Sequence, residues 1–111
     1  MKQKIEEIRK ELEETEVHAT RACELAVKLS AYWANINEQL VEREMTYNKT
    51  FVEFTLHEPT VAKAKVLAQA SEDYHKLLEY QTLSKSCQEM IRSLNRLVRR
   101  KELEASTSRY G

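Results

Sequence analysis

The chain has 111 residues, a length that fits one domain. Basic and acidic residues number 18 each, so the formal net charge of zero argues against a generic basic coat protein of nucleic acid and against an acidic tail. A single glycine and a single proline argue against a sheet-rich fold, which needs turn residues about every 8–12 positions. With 41% hydrophobic and 32% charged residues, the composition is typical of long, solvated helices with narrow apolar faces.

The first predicted element is a long helix over about residues 3–48. Apolar residues recur at alternating steps of three and four from Ile5 to Leu40, and Thr15 is the polar exception. A period of about 3.5 residues is the pattern of helices that wind around a partner helix. We expect the later part of this series to form a hairpin or oligomer seam, which comprises Ala19, Ala22, Ala26, Leu29, Trp33, Ile36 and Leu40. The alanines predict close packing, and the core should widen toward Trp33. Its neighbour Tyr32 should face outward or toward a third helix.

The segment 50–55 is rich in β-branched and aromatic residues and has the composition of a short strand. Because a single strand has no partner here, a helix end or an ordered loop is the favoured interpretation. Pro59 then predicts a turn at about residues 55–60, since proline disfavours helical geometry in the residue before it.

Two return helices follow, a short one at about residues 60–70 and a long one at about residues 72–104. Ser71 is a good N-cap residue, and Glu72 and Asp73 suit a helix N-terminus. The polar tail, residues 105–111, should fray. The apolar face of the long helix is predicted to contain Tyr74, Leu77, Tyr80, Ser84, Cys87, Ile91, Leu94 and Val98.

Together these elements predict a single helical domain over residues 1–111. Its architecture should be an elongated, antiparallel, coiled-coil-like hairpin with a short helix after the turn. A thin hairpin of this size buries little surface per residue. We therefore expect self-association into a helical bundle, most simply a homodimer.

A basic stretch near the end of the chain is the main charge asymmetry. Four arginines spaced by three and four residues share one helix face opposite the apolar face: Arg92, Arg96, Arg99 and Arg100. One interpretation is a surface that contacts phosphates or a protein partner. A second is a solvated face favoured by the helix dipole. A third is pairing with acidic residues of the first helix, namely Glu13, Glu14, Glu16 and Glu24. No aromatic residue lies between the arginines, so base stacking is not expected.

No residue pattern indicates catalysis. The three histidines lack metal-ligand spacing, and the only glycine, Gly111, cannot build a phosphate-binding loop. Cys23 and Cys87 are expected to be reduced thiols of the core. We expect no enzyme activity, no cofactor and no metal. A charged N-terminal segment and the lack of a long apolar run predict a cytoplasmic protein with no membrane contact.

Residues 60–105 resemble a loose group of small, phage-encoded helical proteins found near recombination and replication genes. The similarity rests on the alanine-rich segment from Val61 to Lys65, on the helix start Ala70-Ser71-Glu72-Asp73-Tyr74, and on the arginine-rich last helix. Glu72 stands where the group often has proline. The resemblance implies a phage origin, a location in the host cytosol and a place near DNA metabolism, and it transfers no catalytic residue.

These observations favour a non-enzymatic, oligomeric accessory factor of phage DNA recombination or replication. Two alternatives stay open. One is a stoichiometric protein inhibitor of a host machine, which would bind a protein and not DNA. The other is a purely structural coiled-coil scaffold, which would bind neither.

Overall fold

The computed structural model describes the backbone of residues 1–110 and the side chains of residues 1–107, and this part of the chain contains four helices and no strand. The helices are α1 (Lys2–Glu14), α2 (Ala19–His57), α3 (Val61–Gln69) and α4 (Glu72–Tyr110). The long helices α2 and α4 pack against each other, which confirms the predicted all-α hairpin. The chain divides into two compact units. The first unit contains residues 1–34 and α4 from residue 85 onward, and the second contains residues 35–84.

The long first helix predicted over residues 3–48 is instead two helices. α1 ends at Glu14, and Thr15 adopts an extended backbone with φ −131° and ψ 141°. The connection through residue 18 is rich in threonine, valine and histidine, which are weaker helix formers than the glutamates before them. Val17 is buried within this connection. The heptad series is continuous in sequence, but its residues before Thr15 belong to a separate helix.

In the first unit, α1 folds back along α2 and lies beside α4. Ile5 is 1% exposed and Ile8 is also buried, so the apolar face of α1 is covered. Leu25 and Leu29 of α2 and Leu94 of α4 complete this core. A thin hairpin of two helices buries little surface per residue. Packing three helices together removes more apolar surface from water than two helices alone.

Polar contacts hold α1 at its two neighbours. The guanidinium of Arg21 on α2 donates hydrogen bonds of 2.8 and 2.7 Å to the carboxylate of Glu11. On the other side, Arg9 donates to the hydroxyl of Ser86 on α4. These contacts place α1 antiparallel to α2, since Lys4 near the start of α1 lies 5.9 Å from the ring centroid of Tyr32.

The predicted seam residues lie on α2 and face the interior of their units. Ala22, Leu29 and Ile36 have no exposed surface. The other four, Ala19, Ala26, Trp33 and Leu40, are half-buried. The fully buried residues pack within the chain itself, as a hairpin seam requires, and leave no surface for a second copy.

In the second unit, α2 and α4 run antiparallel. Ser84 Oγ donates a hydrogen bond of 2.8 Å to Asn37 Oδ1. Farther along α2, Thr50 Oγ1 donates one of 2.6 Å to Asp73 Oδ2, which lies nearer the start of α4. The rings of Tyr47 and Tyr74, which lie 5.2 Å apart, add an aromatic contact between the same two helices.

The caps of the second unit follow the sequence signals, but α2 ends at His57, beyond the helix end predicted near residue 48. α2 continues through residues 50–55, so this segment is helix, and the turn is confined to Glu58–Thr60. Thr60 Oγ1 accepts a hydrogen bond of 3.2 Å from the backbone N–H of Lys63 at the start of α3. Ser71 Oγ accepts one of 3.4 Å from the N–H of Tyr74, so Ser71 caps α4 as predicted.

The last helix is longer than predicted. α4 continues to Tyr110 and does not end near residue 104, so the predicted frayed tail is helical through that residue. Residues 102–107 are exposed, because the chain offers them no further neighbour to pack against. Gly111 lies outside the described residues.

Replacing Ala22 by leucine tests the close packing of α2 in the first unit. Since Ala22 is 0% exposed, the larger side chain should overpack the core and lower the free energy of unfolding by about 1–3 kcal/mol. Chemical denaturation followed by circular dichroism measures this change. Ala31→Leu, at an exposed position of the same helix, is the matched control and should leave stability nearly unchanged. Equal stability of the two variants would contradict the packing described here.

The pair formed by Glu11 and Arg21 should make the docking of α1 depend on pH. Hydrogen bonds from Arg21 hold the pKa of the Glu11 carboxyl below its ordinary value. A lowered folded-state pKa contributes stability above the ordinary carboxyl pKa of 4.5, and this contribution is lost as the pH falls through the folded value. The coupling free energy in a cycle of Glu11→Gln and Arg21→Ala should therefore be favourable at about pH 7 and absent at about pH 2. A coupling that is independent of pH would refute this role.

Candidate nucleic-acid interface

Four arginines form an exposed face on the part of α4 that belongs to the first unit. The arginine face comprises Arg92, Arg96, Arg99 and Arg100, all of which are exposed. The opposite side of the helix holds Leu94, which is 1% exposed, and the half-buried Ile91 and Val98. This division follows from the helical period, because residues three, four and eight positions apart return to similar angles around the axis.

Five other cations in the described part of the chain form ion pairs with acidic residues. Arg9 lies 3.6 Å from Glu6, and Arg21 lies 2.7 Å from Glu11 and 3.1 Å from Glu24. Further pairs join Lys63 to Glu58, Lys76 to Glu72 and Lys101 to Glu16.

The arginine face differs from these cations. No hydrogen bond, ion pair or ring contact connects any of its four side chains to another described residue. The interpretation that the arginines pair with acids near the first helix is therefore wrong for all four. Of the acids proposed, Glu16 pairs with Lys101 and Glu24 with Arg21. Glu13 and Glu14 are exposed at the end of α1.

The geometry of the arginine face suits several anionic groups in a row. Arg92 and Arg100 are eight residues apart, which is about 12 Å along the helix axis. Lys85 is exposed seven residues before Arg92 and extends the same side of α4. Glu89 is the only acidic residue between Lys85 and Lys101, so the local charge is strongly positive although the whole chain is neutral. Guanidinium groups bind phosphates through two parallel hydrogen bonds.

A cleft between α1 and α4 borders the arginine face through Arg100. It has a volume of about 600 Å³ and lies within the first unit. Its floor is formed by apolar residues, and charged residues of both signs stand at its rim: Leu12, Met90, Leu94 and Leu97 on the floor, with Arg9, Glu13, Glu89 and Arg100 around them. Such a mixture of apolar and charged groups is typical of a surface that binds a protein or an amphipathic segment.

The other features considered in the sequence are metal-ligand clusters, membrane-spanning helices and the environment of Tyr32. Within the described residues, no three side chains of histidine, cysteine, aspartate or glutamate are grouped so that they could hold a metal ion. In that same range, no helix is long and apolar enough to cross a membrane. Tyr32 is half-buried, and its ring lies beside Lys4 of α1. It therefore faces a third helix, which is one of the two environments predicted for it.

The two cysteines differ in their surroundings, and the prediction that both lie in the core is wrong for Cys23. Both are free thiols, but Cys23 is exposed and Cys87 is fully buried. Cys23 follows the buried Ala22, and one step along a helix rotates a side chain by about 100°, which turns this thiol away from the core. Burial raises the pKa of the Cys87 thiol.

An apolar surface on the other side of α2 was not predicted from the sequence. Four residues of the second unit form the outer stripe of α2: Val41, Met45, Val52 and Leu56 are 57%, 62%, 54% and 76% exposed. The signal was available as a second series of steps of three and four, through Val41, Met45, Asn48 and Val52. It was hidden because aromatic residues on the inner face gave a stronger pattern.

Comparison of the chain with protein-family models, with curated proteins and with solved structures finds no match.

Thiol reactivity tests the placement of the two cysteines. Because the reactive species is the thiolate and Cys87 is buried with a raised pKa, only Cys23 should react quickly with Ellman's reagent in the folded protein. The absorbance should show one fast thiol, and a second after unfolding in denaturant. Cys23→Ser should remove the fast phase and leave the slow one. Two fast thiols in the native protein would show that α4 is not packed as described.

Proposed function

We propose that this protein is a non-enzymatic helical binding protein that contacts nucleic-acid phosphates through the arginine face of α4. The observation that carries the proposal is that all four arginines are exposed and have no partner among the described residues. On this proposal the protein is an accessory factor in DNA recombination or replication of a phage, a role that the resemblance of residues 60–105 supports.

Local charge accounts for binding by a chain with no net charge. Attraction to a polyanion depends on the cations within reach of the phosphates, since more distant charges are screened beyond about 10 Å at 0.1 M salt. Each phosphate neutralised by an arginine releases condensed counterions, which makes such binding strongly dependent on salt. The face contains no aromatic residue, so contacts are to the backbone of the nucleic acid and carry little sequence specificity.

A second candidate function is stoichiometric inhibition of a host protein machine. The cleft beside Arg100 favours it, because apolar residues such as Leu12 and Leu97 lie next to cations there. On that alternative, the arginine face would bind an acidic protein surface and DNA would not compete. A structural scaffold, the third alternative, would bind neither.

Fluorescence anisotropy of labelled duplex and single-stranded DNA tests the proposed function. We expect binding at about 50 mM salt that weakens roughly 100-fold at about 200 mM, which is the slope for about four neutralised phosphates on a duplex. Arg96→Glu combined with Arg99→Glu should weaken binding at least about tenfold, because two attractive contacts become repulsive.

The matched control is Lys63→Glu combined with Lys65→Glu on α3, which changes the net charge equally at exposed lysines. This variant should bind DNA nearly as the original protein does. Circular dichroism of each variant shows whether the helices are retained. No binding at the lower salt concentration, or equal losses in the two variants, would overturn the proposal.

A further inference from the structure

The outer stripe of α2 is an apolar surface that is exposed to solvent. Its four residues are more than half exposed, while Ile36 on the inner side of the same helix has no exposed surface. α2 is therefore apolar on two sides, and one of these sides has no partner within the described chain. Apolar residues grouped along one exposed side of a helix indicate a contact with another molecule more often than isolated ones do.

The spacing of this surface is that of a coiled-coil seam. Val41, Met45, Asn48 and Val52 are separated by steps of four, three and four residues. Leu56 lies one further turn along and at the edge of the same stripe. The stripe spans 16 residues, which is about 22 Å of helix. Such a seam accepts a helix with the same repeat, and α2 itself has that repeat.

We propose that the outer stripe of α2 pairs in parallel with the outer stripe of a second copy of this chain. The proposal is independent of DNA binding, since it uses neither the arginine face nor the cleft. It also differs from the self-association expected from the sequence, since the predicted hairpin or oligomer seam contains inward-facing residues such as Ala22 and Leu29.

Charge complementarity selects a second copy in parallel orientation. Glu44 and Lys49 are both exposed and flank the seam on opposite sides. In a parallel coiled coil, the residue just before one seam position lies near the residue five places later on the partner. Glu44 of one copy then meets Lys49 of the second copy, and the two-fold symmetry creates this pair twice. An antiparallel pair would instead bring the two Lys49 side chains together near the symmetry axis.

Asn48 supplies the second argument for this pairing. It is the one polar residue between Val41 and Val52 on the seam, and it is exposed in the single chain. In the parallel pair the two Asn48 amides face each other and form hydrogen bonds only when the register is correct. A shifted register would bury each amide against apolar side chains without a hydrogen-bond partner, so Asn48 lowers the stability of the pair but favours the aligned register.

The contact between the two stripes is small. Two helices in contact over about 22 Å bury on the order of 800–1,000 Å² in total, which is at the low end for specific interfaces. The dimer should therefore form at micromolar concentrations and dissociate on dilution.

Sedimentation equilibrium at about 5–500 µM protein tests the pairing, over a range that brackets a micromolar dissociation constant. The apparent mass of the original chain should rise with concentration from 13.1 kDa toward twice that value. Val52→Glu should stay monomeric throughout, because it would place a charge in the apolar contact. Val66→Glu is the matched control: it alters a valine of α3 that is 66% exposed and lies outside the stripe, and it should dimerise as the original chain does.

A charge exchange tests the orientation. Glu44→Lys should weaken the dimer at least about tenfold, since it would face Lys49 of the second copy. Adding Lys49→Glu should restore the original affinity, because the pair is then reversed but again attractive. A monomer at all concentrations, or dimerisation by Val52→Glu equal to that of the original chain, would overturn the pairing. A double variant that is weaker than Glu44→Lys alone would overturn the parallel orientation. Circular dichroism confirms that each variant keeps its helices.

Discussion

Burial of the apolar face of α1 is the contact on which the first unit depends. A short amphipathic helix is marginal by itself in water, so α1 needs neighbours that cover Ile5 and Ile8. The extended backbone at Thr15 lets α1 reverse direction and find those neighbours on α2 and α4. The ion pair of Glu11 with Arg21 and the contact of Arg9 with Ser86 then fix its position from two sides. The cleft beside the arginine face exists because α1 lies there.

Some cations of the chain form ion pairs within the fold, and others are exposed and available to other molecules. Lysines and arginines such as Arg21 and Lys101 pair with glutamates and hold helices together or stabilise single turns. The arginines at positions 92, 96, 99 and 100 have no such partner among the described residues. Surface ion pairs contribute little stability each. Exposed arginines that remain without a partner therefore cost the fold little and leave their donors available for phosphates or carboxylates.

α2 shows how one helix serves two purposes within the second unit. Its inner side buries Ile36 and supports α4 through Asn37 and Thr50. Its outer side presents Val41, Met45, Val52 and Leu56 to solvent. An apolar stripe on each side is more than the second unit needs for its own packing. In the proposed pairing, the outer stripe binds a second copy of the chain. The dimer would then carry two arginine faces.

The sequence by itself determined the all-α hairpin, the cap at Ser71 and the inward face of α4. These features depend on local signals: the spacing of apolar residues, capping side chains and the single proline. The arginine face also followed from spacing alone. The break after Glu14, the exposure of Cys23 and the missing partners of the arginines were decided by tertiary structure. A heptad series shows which residues seek burial, but it does not show whether the helix that holds them is continuous. The chain folds back at Thr15 because a third helix packed on the hairpin buries more apolar surface than a straight extension of α2 would.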